Sequence, residues 1–267
     1  GKELPSGLTR MAAAVEYDGS KYCGWQKQIH SPSIQHEVEL ALSSVANESI
    51  DTICAGRTDT GVHGLNQIIH FDTISERSSR QWLLGANANL PKNIRIHWID
   101  KKKPEFHARY SALTRTYRYY ISNQSYRSAL QHNHLTWEKN NLDEKLMNIA
   151  SKYLLGEHDF TSFRAAGCQS LSPNRNVQFV KAWREDNLVI FDITANSFLH
   201  HMVRNIVGSL IIIGKGERPP EWISSLISER DRTIAAPTAP SNGLYLCGIK
   251  YPEEFSITKY KFGPKFL

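Results

Sequence analysis

Apolar positions along the chain follow two periods, one near 2 and one near 3.6. Met11–Tyr17 is an almost unbroken apolar run that ends at the turn-rich Asp18-Gly19-Ser20, so a short strand is predicted there. Over Pro32–Ala46, Ile34, Val38, Ala41, Leu42 and Val45 recur at helical spacing with polar residues opposite. This predicts a helix with Ser31 as its N-cap and Pro32 at its first position. Strands are predicted at Asp51–Cys54 and Asn66–Asp72, on either side of the glycine-rich segment AGRTDTGVHG (Ala55–Gly64). In the second half, Thr116–Ile121 reads as an aromatic strand. Leu142–Leu155 reads as a helix with Leu142, Leu146, Ile149 and Tyr153 on one face, stopping near Gly156. Val177–Trp183 and Leu188–Thr194 form a hairpin through Glu185-Asp186-Asn187, and helices follow at Phe198–Ile213 and Pro220–Ser228. Strand, helix and hairpin recur in both halves. The expected fold is α+β, with two similarly built halves of antiparallel or mixed sheet and helices over one face. The run Lys101-Lys102-Lys103-Pro104 breaks the apolar pattern and marks the expected junction, dividing 1–104 from 105–267.

Composition narrows the class without naming it. An apolar fraction of 40% and a charged fraction of 22% exclude a disordered chain. The longest apolar run, Ile206–Ile213, is interrupted by Gly208 and Ser209 and is far too short to span a bilayer, so no membrane association is expected. The opening residues GKELPSGLTR carry no apolar signal-peptide core, and a cytoplasmic protein is expected. Cys23, Cys54, Cys168 and Cys247 are widely spaced with no CxxC pair, which predicts reduced thiols and no zinc site. The formal charge of +6 favours a polyanionic partner.

Three segments hold residues able to do chemistry. In Gly56–Gly64 the glycines allow a tight path that carries Arg57, Asp59 and His63 between two strands. A carboxylate there can act as nucleophile or general base. A plain turn, with Arg57 pairing Asp59 and the carboxylate bonding backbone amides, accounts for the same residues. The second segment couples Phe106-His107-Ala108-Arg109-Tyr110 with Arg115-Thr116-Tyr117-Arg118-Tyr119. Along a strand, Tyr117 and Tyr119 share one face and Arg118 takes the other, a pattern that suits stacked bases and phosphates as well as an amphipathic strand. The third is Phe198–Gly208. There Met202, Ile206 and Leu210 form a core stripe, with His200 and Arg204 four apart on another face. On a helix His200 and His201 point about 100° apart, so no metal site is expected.

These segments belong to eight collinear blocks: YDGSKYCGWQ (17–26), AGRTDTGVHG (55–64), NANLP (87–91), FHARYSA (106–112), RTYRY (115–119), GEHDFTSF (156–163), FLHHMVRNIVG (198–208) and GLYL (243–246). In order and spacing the chain resembles the tRNA pseudouridine synthases of the TruA type, from about Ala12 to Leu246. The resemblance implies an isomerase that breaks the N–C1′ bond of uridine, turns the base and rejoins it through C5, with no cofactor and no metal. It implies the pseudouridine synthase fold, with the two halves meeting at a basic central cleft. The essential acid is then Asp59, whose carboxylate attacks C1′ or deprotonates the sugar. Arg57 helps extrude the target nucleotide, Tyr117 stacks on the base, Arg204 pairs with the catalytic carboxylate, and Leu244 packs against the base. The implied substrate is the anticodon stem-loop, at positions 38, 39 and 40 of tRNA, bound by a homodimer. Thr60 and Cys23 depart from the family's usual alanine and aromatic. Rival expectations are a synthase with another RNA target, a non-catalytic tRNA binder, and metal-dependent phosphodiester cleavage by Asp59, His63 and Asp72.

Overall fold

The computed structural model describes residues 4–259. The described chain divides into two compact units: one comprises residues 4–113 and 246–259, and the other is Thr114–Tyr245. The first holds β1 (Thr9–Tyr17), α1 (Ile34–Ala46), β2 (Ile53–Cys54), β3 (His63–Thr73), α2 (Ser79–Asn89) and β4 (Ile94–Lys101). The second holds β5 (Thr114–Asn123), β6 (Thr136–Glu138), α3 (Glu144–Ser151), β7 (Gly156–Asp159), β8 (Asn174–Glu185), β9 (Leu188–Ala195), α4 (Met202–Gly214) and α5 (Trp222–Glu229). The last strand is β10 (Leu244–Lys250). The architecture is α+β, as the periodicity predicts.

In the first unit the strand order is β4-β1-β3, antiparallel throughout, with β2 beside β3. Met11, Ala13, Val15 and Tyr17 bury one face of β1 against α1 and α2 residues such as Val38, Leu42 and Trp82. Ala12 and Ala14 bury the other face against Ile68, Phe106, Ala108, Tyr251 and Phe255. Burial on both faces explains why β1 reads as a continuous apolar run. Each large side chain buried there contributes roughly 1.5–3 kcal/mol. The same packing moves the boundary. Arg10 Nη1 donates to Pro104 O at 2.9 Å and to Phe106 O at 2.8 Å, so the Lys101–Pro104 segment lies inside the first unit instead of dividing 104 from 105.

In the second unit the order is β5-β9-β8-β7, antiparallel, with β6 parallel to β5. The β8–β9 hairpin turns through Asp186 and Asn187, with Asp186 at φ 51°. α3 lies along β8. Asn148 Oδ1 accepts from Ala182 N at 3.0 Å, and Lys152 Nζ donates to Val180 O at 2.8 Å, which occupies backbone groups the strand would otherwise leave open.

Several elements differ from expectation for identifiable reasons. α1 begins at Ile34, and its cap is Ser33, whose side chain accepts from His36 N, not Ser31. Backbone carbonyls of Gly24 and Trp25 accept from Ile34 N and Gln35 N, which fixes the start there. α3 ends at Ser151 and continues as a 3-10 turn, Lys152–Leu154. It buries Met147, Ala150, Ser151 and Leu154, while Ile149 and Tyr153 stay exposed, so the expected apolar face is rotated. α2 and β4 escaped the periodicity altogether. Among the described residues no helix is long and apolar enough to cross a membrane.

Candidate active site

Asp59 lies in the eight-residue connection Ala55–Val62 between β2 and β3. The first block, 17–26, forms its support. Tyr17 and Thr58 share a buried hydrogen bond of 2.8 Å between hydroxyls, and Trp25 N donates to Thr58 O at 3.1 Å. Gly24, at φ 89°, has no space for a side chain, because a Cβ would meet Thr58 O at 2.7 Å. At Gly19 the approach is closer still: a Cβ would lie 1.9 Å from Val62 O. Gly19 N donates to His63 Nδ1 at 2.9 Å, which puts the ring hydrogen on Nε2. The near end of the loop is held by Gln67, whose amide bonds Gly56 O and Gly56 N, and by Ala55 N donating to Ile68 O. Within the loop Val62 N donates to Asp59 O at 3.1 Å, and Gly61 takes φ 82°. Asp59 is therefore half-buried on a backbone fixed at both ends, as a reacting group needs.

The plain-turn alternative required Arg57 to pair with Asp59. Arg57 is exposed, and among the described residues no hydrogen bond or ion pair engages its guanidinium. Cys54, the last residue of β2, is no rival nucleophile, since burial pushes its thiol up to about 11 against the opposing pull of Arg57 and Arg109. Thr60 is exposed. The cleavage triad does not assemble either. His63 and Asp72 stand nine residues apart on β3, roughly 30 Å at strand rise. Asp72 is also held by Arg10 at 2.9 and 3.0 Å.

In the second unit, Tyr117 is half-buried on β5, edge-on to Phe198 with centroids 5.0 Å apart and planes at 83°. Tyr119, on the same face, is committed to the scaffold. It is fully buried, its hydroxyl lies 2.6 Å from Thr136 Oγ1 and 2.7 Å from Pro240 O, and burial pushes its phenol up. Arg118 points to the opposite face, as expected, and forms a bidentate pair with Asp192 at 2.7 and 2.9 Å. Arg204 is half-buried in the first turn of α4. Its Nε donates to Ala239 O at 2.8 Å and its carbonyl accepts from Ala239 N at 3.1 Å. Leu244 opens β10 and is buried. It follows Gly243, where a Cβ would meet Tyr120 O at 2.6 Å, so the glycine of GLYL sets its placement.

The expected helix from Phe198 begins only at Met202. His201 adopts a left-handed φ of 62° as its N-cap, which breaks the helical path before His200. Helical spacing therefore does not separate the two imidazoles: their rings lie 3.9 Å apart between centroids, inclined by 30°. His200 and Arg204 do not share a helix face for the same reason. Phe198 and the clamp residues Tyr17, Thr58 and Trp25 were missed by sequence reasoning, although their blocks were visible.

Residues 13–111 and 150–252 match the tRNA pseudouridine synthase family. A Shewanella denitrificans protein named tRNA pseudouridine synthase A is 53% identical over 258 residues, covering 97% of this chain and 99% of its own. Proteins of the same name from Vibrio vulnificus and Histophilus somni are each 51% identical over 97% of this chain, covering 98% and 96% of their own lengths. The chain belongs to the tRNA pseudouridine synthase family, and is an isomerase acting on uridine in tRNA.

Proposed function

We propose that this isomerase acts on the anticodon stem-loop, at tRNA positions 38, 39 and 40, with Asp59 as its catalytic carboxylate. The observation that carries the assignment is the clamp on the Asp59 loop: Tyr17, Gly19, Gly24 and Trp25 hold Thr58 and Val62 so that the carboxylate is presented on a fixed backbone. Arg57, exposed beside it, enters the stack as the nucleotide leaves, which offsets part of the few kcal/mol that extrusion costs. Tyr117, steadied by Phe198, stacks on the uracil, and Leu244 packs against the base. Arg204 is assigned as the basic partner of the carboxylate. Asp59 either attacks C1′ or removes a sugar proton. The N1–C1′ bond breaks, the base turns, C5 bonds to C1′, and the C5 proton leaves while N1 gains one. Asp59, Arg57, Tyr117, Arg204 and Leu244 need no metal or cofactor for these roles. The enzyme works as a homodimer in the cytoplasm, a reducing compartment that suits four cysteines with no disulfide among the described residues.

The test uses tRNA carrying C5-tritiated uridine at one position at a time. Tritium release from positions 38, 39 and 40, and none from the other arms, is expected. Release confined to another arm would move the target, and shortened RNA would replace isomerisation with cleavage.

A further inference from the structure

A cavity of about 550 Å³ lies in the second unit, beside the start of α4. Its size is within the roughly 300–1,000 Å³ of small-ligand sites. His200, His201, Arg232, Thr238, Ala165 and Ala236 are among the residues that line it.

Three features give the cavity a chemical preference. The first is the imidazole pair, with centroids 3.9 Å apart, planes inclined by 30° and His200 exposed. His201 holds a left-handed φ of 62°, in a region that non-glycine residues occupy at a cost. The second is Arg232. Its guanidinium donates to Ala236 O, Asn205 Oδ1 and Thr238 Oγ1, all neutral oxygens, and no carboxylate pairs with it among the described residues. Burial lowers its pKa, as expected for a cation short of a counter-charge. The third is rigidity. A Cβ at Gly208 would meet Pro237 O at 2.2 Å, so α4 is closed tightly against the 236–238 wall, and Ala165 N donates to His200 O at 3.0 Å. An aromatic face and a cation without a carboxylate partner, both lining one cavity, match the two ends of a nucleotide.

We infer that this cavity is a second nucleotide subsite, which holds a nucleotide flanking the target uridine with its base on His200 and its phosphate toward Arg232. Proximity to the target follows from the chain: Phe198, two residues before His200, carries the edge of Tyr117. The assignment rests on the tRNA-uridine activity and on Tyr117 serving it.

The experiment pairs protein and RNA changes in stem-loops that carry C5-tritiated uridine at the target. Abasic residues are placed one at a time at flanking positions, and KM and kcat are measured for wild type, His200→Ala and His200→Phe. With wild type, one abasic position is expected to raise KM roughly 5- to 100-fold with kcat within about threefold. His200→Ala is expected to raise KM on intact RNA by a similar factor and to show no further rise with that abasic RNA. His200→Phe, which keeps an aromatic face, restores KM. An unchanged KM for His200→Ala, additive losses, or no restoration by phenylalanine would overturn the subsite. Absence of tritium release by wild type from every RNA would instead sink the underlying activity.

Discussion

The two units treat the same structural opportunity differently. Each pairs neighbouring antiparallel strands, β2 with β3 in the first and β8 with β9 in the second. In the second unit two residues, Asp186 and Asn187, make the connection, and the hairpin is only scaffold. In the first the connection is eight residues, and an additional segment, 17–26, grips it from below. The lesson is that a loop proposed to carry chemistry needs both length and a clamp. Length lets the backbone present Arg57 and Asp59, and the contacts to Thr58 and Val62 remove the freedom that length brings. A second contrast runs through the sheets. Arg10 opposes Asp72 across β1 and β3, and Arg118 opposes Asp192 across β5 and β9. The first arginine spends its remaining donors on Pro104 and Phe106, fastening a covering segment, whereas the second lies over the rings of Tyr120 and Trp183 at 5.8 and 5.1 Å.

Breaking the clamp should have the largest effect. Gly19→Ala forces Val62 or the 17–26 segment to move, because the contact is with backbone and neither side can swing away. Single-turnover tritium release is expected to fall by about 100-fold, the loss that an ångström-scale misplacement brings, with tRNA binding largely kept. A variant with near-normal turnover would show that the clamp does not hold the catalytic geometry.

The two arginine pairs sharpen the contrast next. Asp192 and Arg118 have side-chain exposures of 8% and 14%, so Asp192→Asn leaves a cation in a mostly buried setting. It is expected to cost roughly 2–4 kcal/mol in urea unfolding. Asp72 is 30% exposed, and Arg10 keeps two backbone carbonyls, so Asp72→Asn should cost about 1 kcal/mol. Equal costs would mean that burial does not separate the pairs.

Acid should affect the first unit through His70. Burial, Arg10 and His107 lower its pKa from 6.5 to about 3, and its Nδ1 accepts from Ala108 N at 2.9 Å. The folded imidazole therefore resists a proton that the unfolded chain accepts. Stability is undiminished above pH 6.5 and falls as pH drops from 6.5 toward 3, by an amount of roughly 2–4 kcal/mol. Hydrogen exchange resolved by unit should show this loss in the first, and His70→Gln should flatten it. The same slope in the variant would assign it to other groups. Thr60→Ala should have the smallest effect, with turnover within about twofold, since the residue is exposed. A tenfold change would give Thr60 a place in the chemistry.

Legibility in the sequence followed the strength of each local signal. β1, β3, β5 and the β8–β9 hairpin were readable from apolar runs with turn residues between them. α2 was not: Gly85 and the asparagines at its end hide it, although Ser78 and Gln81 form a reciprocal capping box. Its glycine is required by packing, because a Cβ would meet Val45 Cγ2 at 2.8 Å. The face of α3 was misread because polar Asn148 and Lys152 bond β8, a tertiary demand that periodicity cannot carry. The break at His201 was likewise invisible, since nothing in the residue type announces a left-handed backbone. For the site, the blocks were plain but their division of labour was not. NANLP, for example, serves the scaffold: the Asn87 side chain brackets both backbone groups of Ile96 at 2.9 Å.

The most direct test of the central claim compares wild type with Asp59→Asn on C5-tritiated anticodon stem-loops, measuring tritium release and RNA binding on the same preparations. With Asp59 carrying the chemistry on a loop that the rest of the unit merely holds, wild type releases tritium and the variant releases none, while both bind RNA with similar affinity. Tritium release by Asp59→Asn at the wild-type rate would contradict the account.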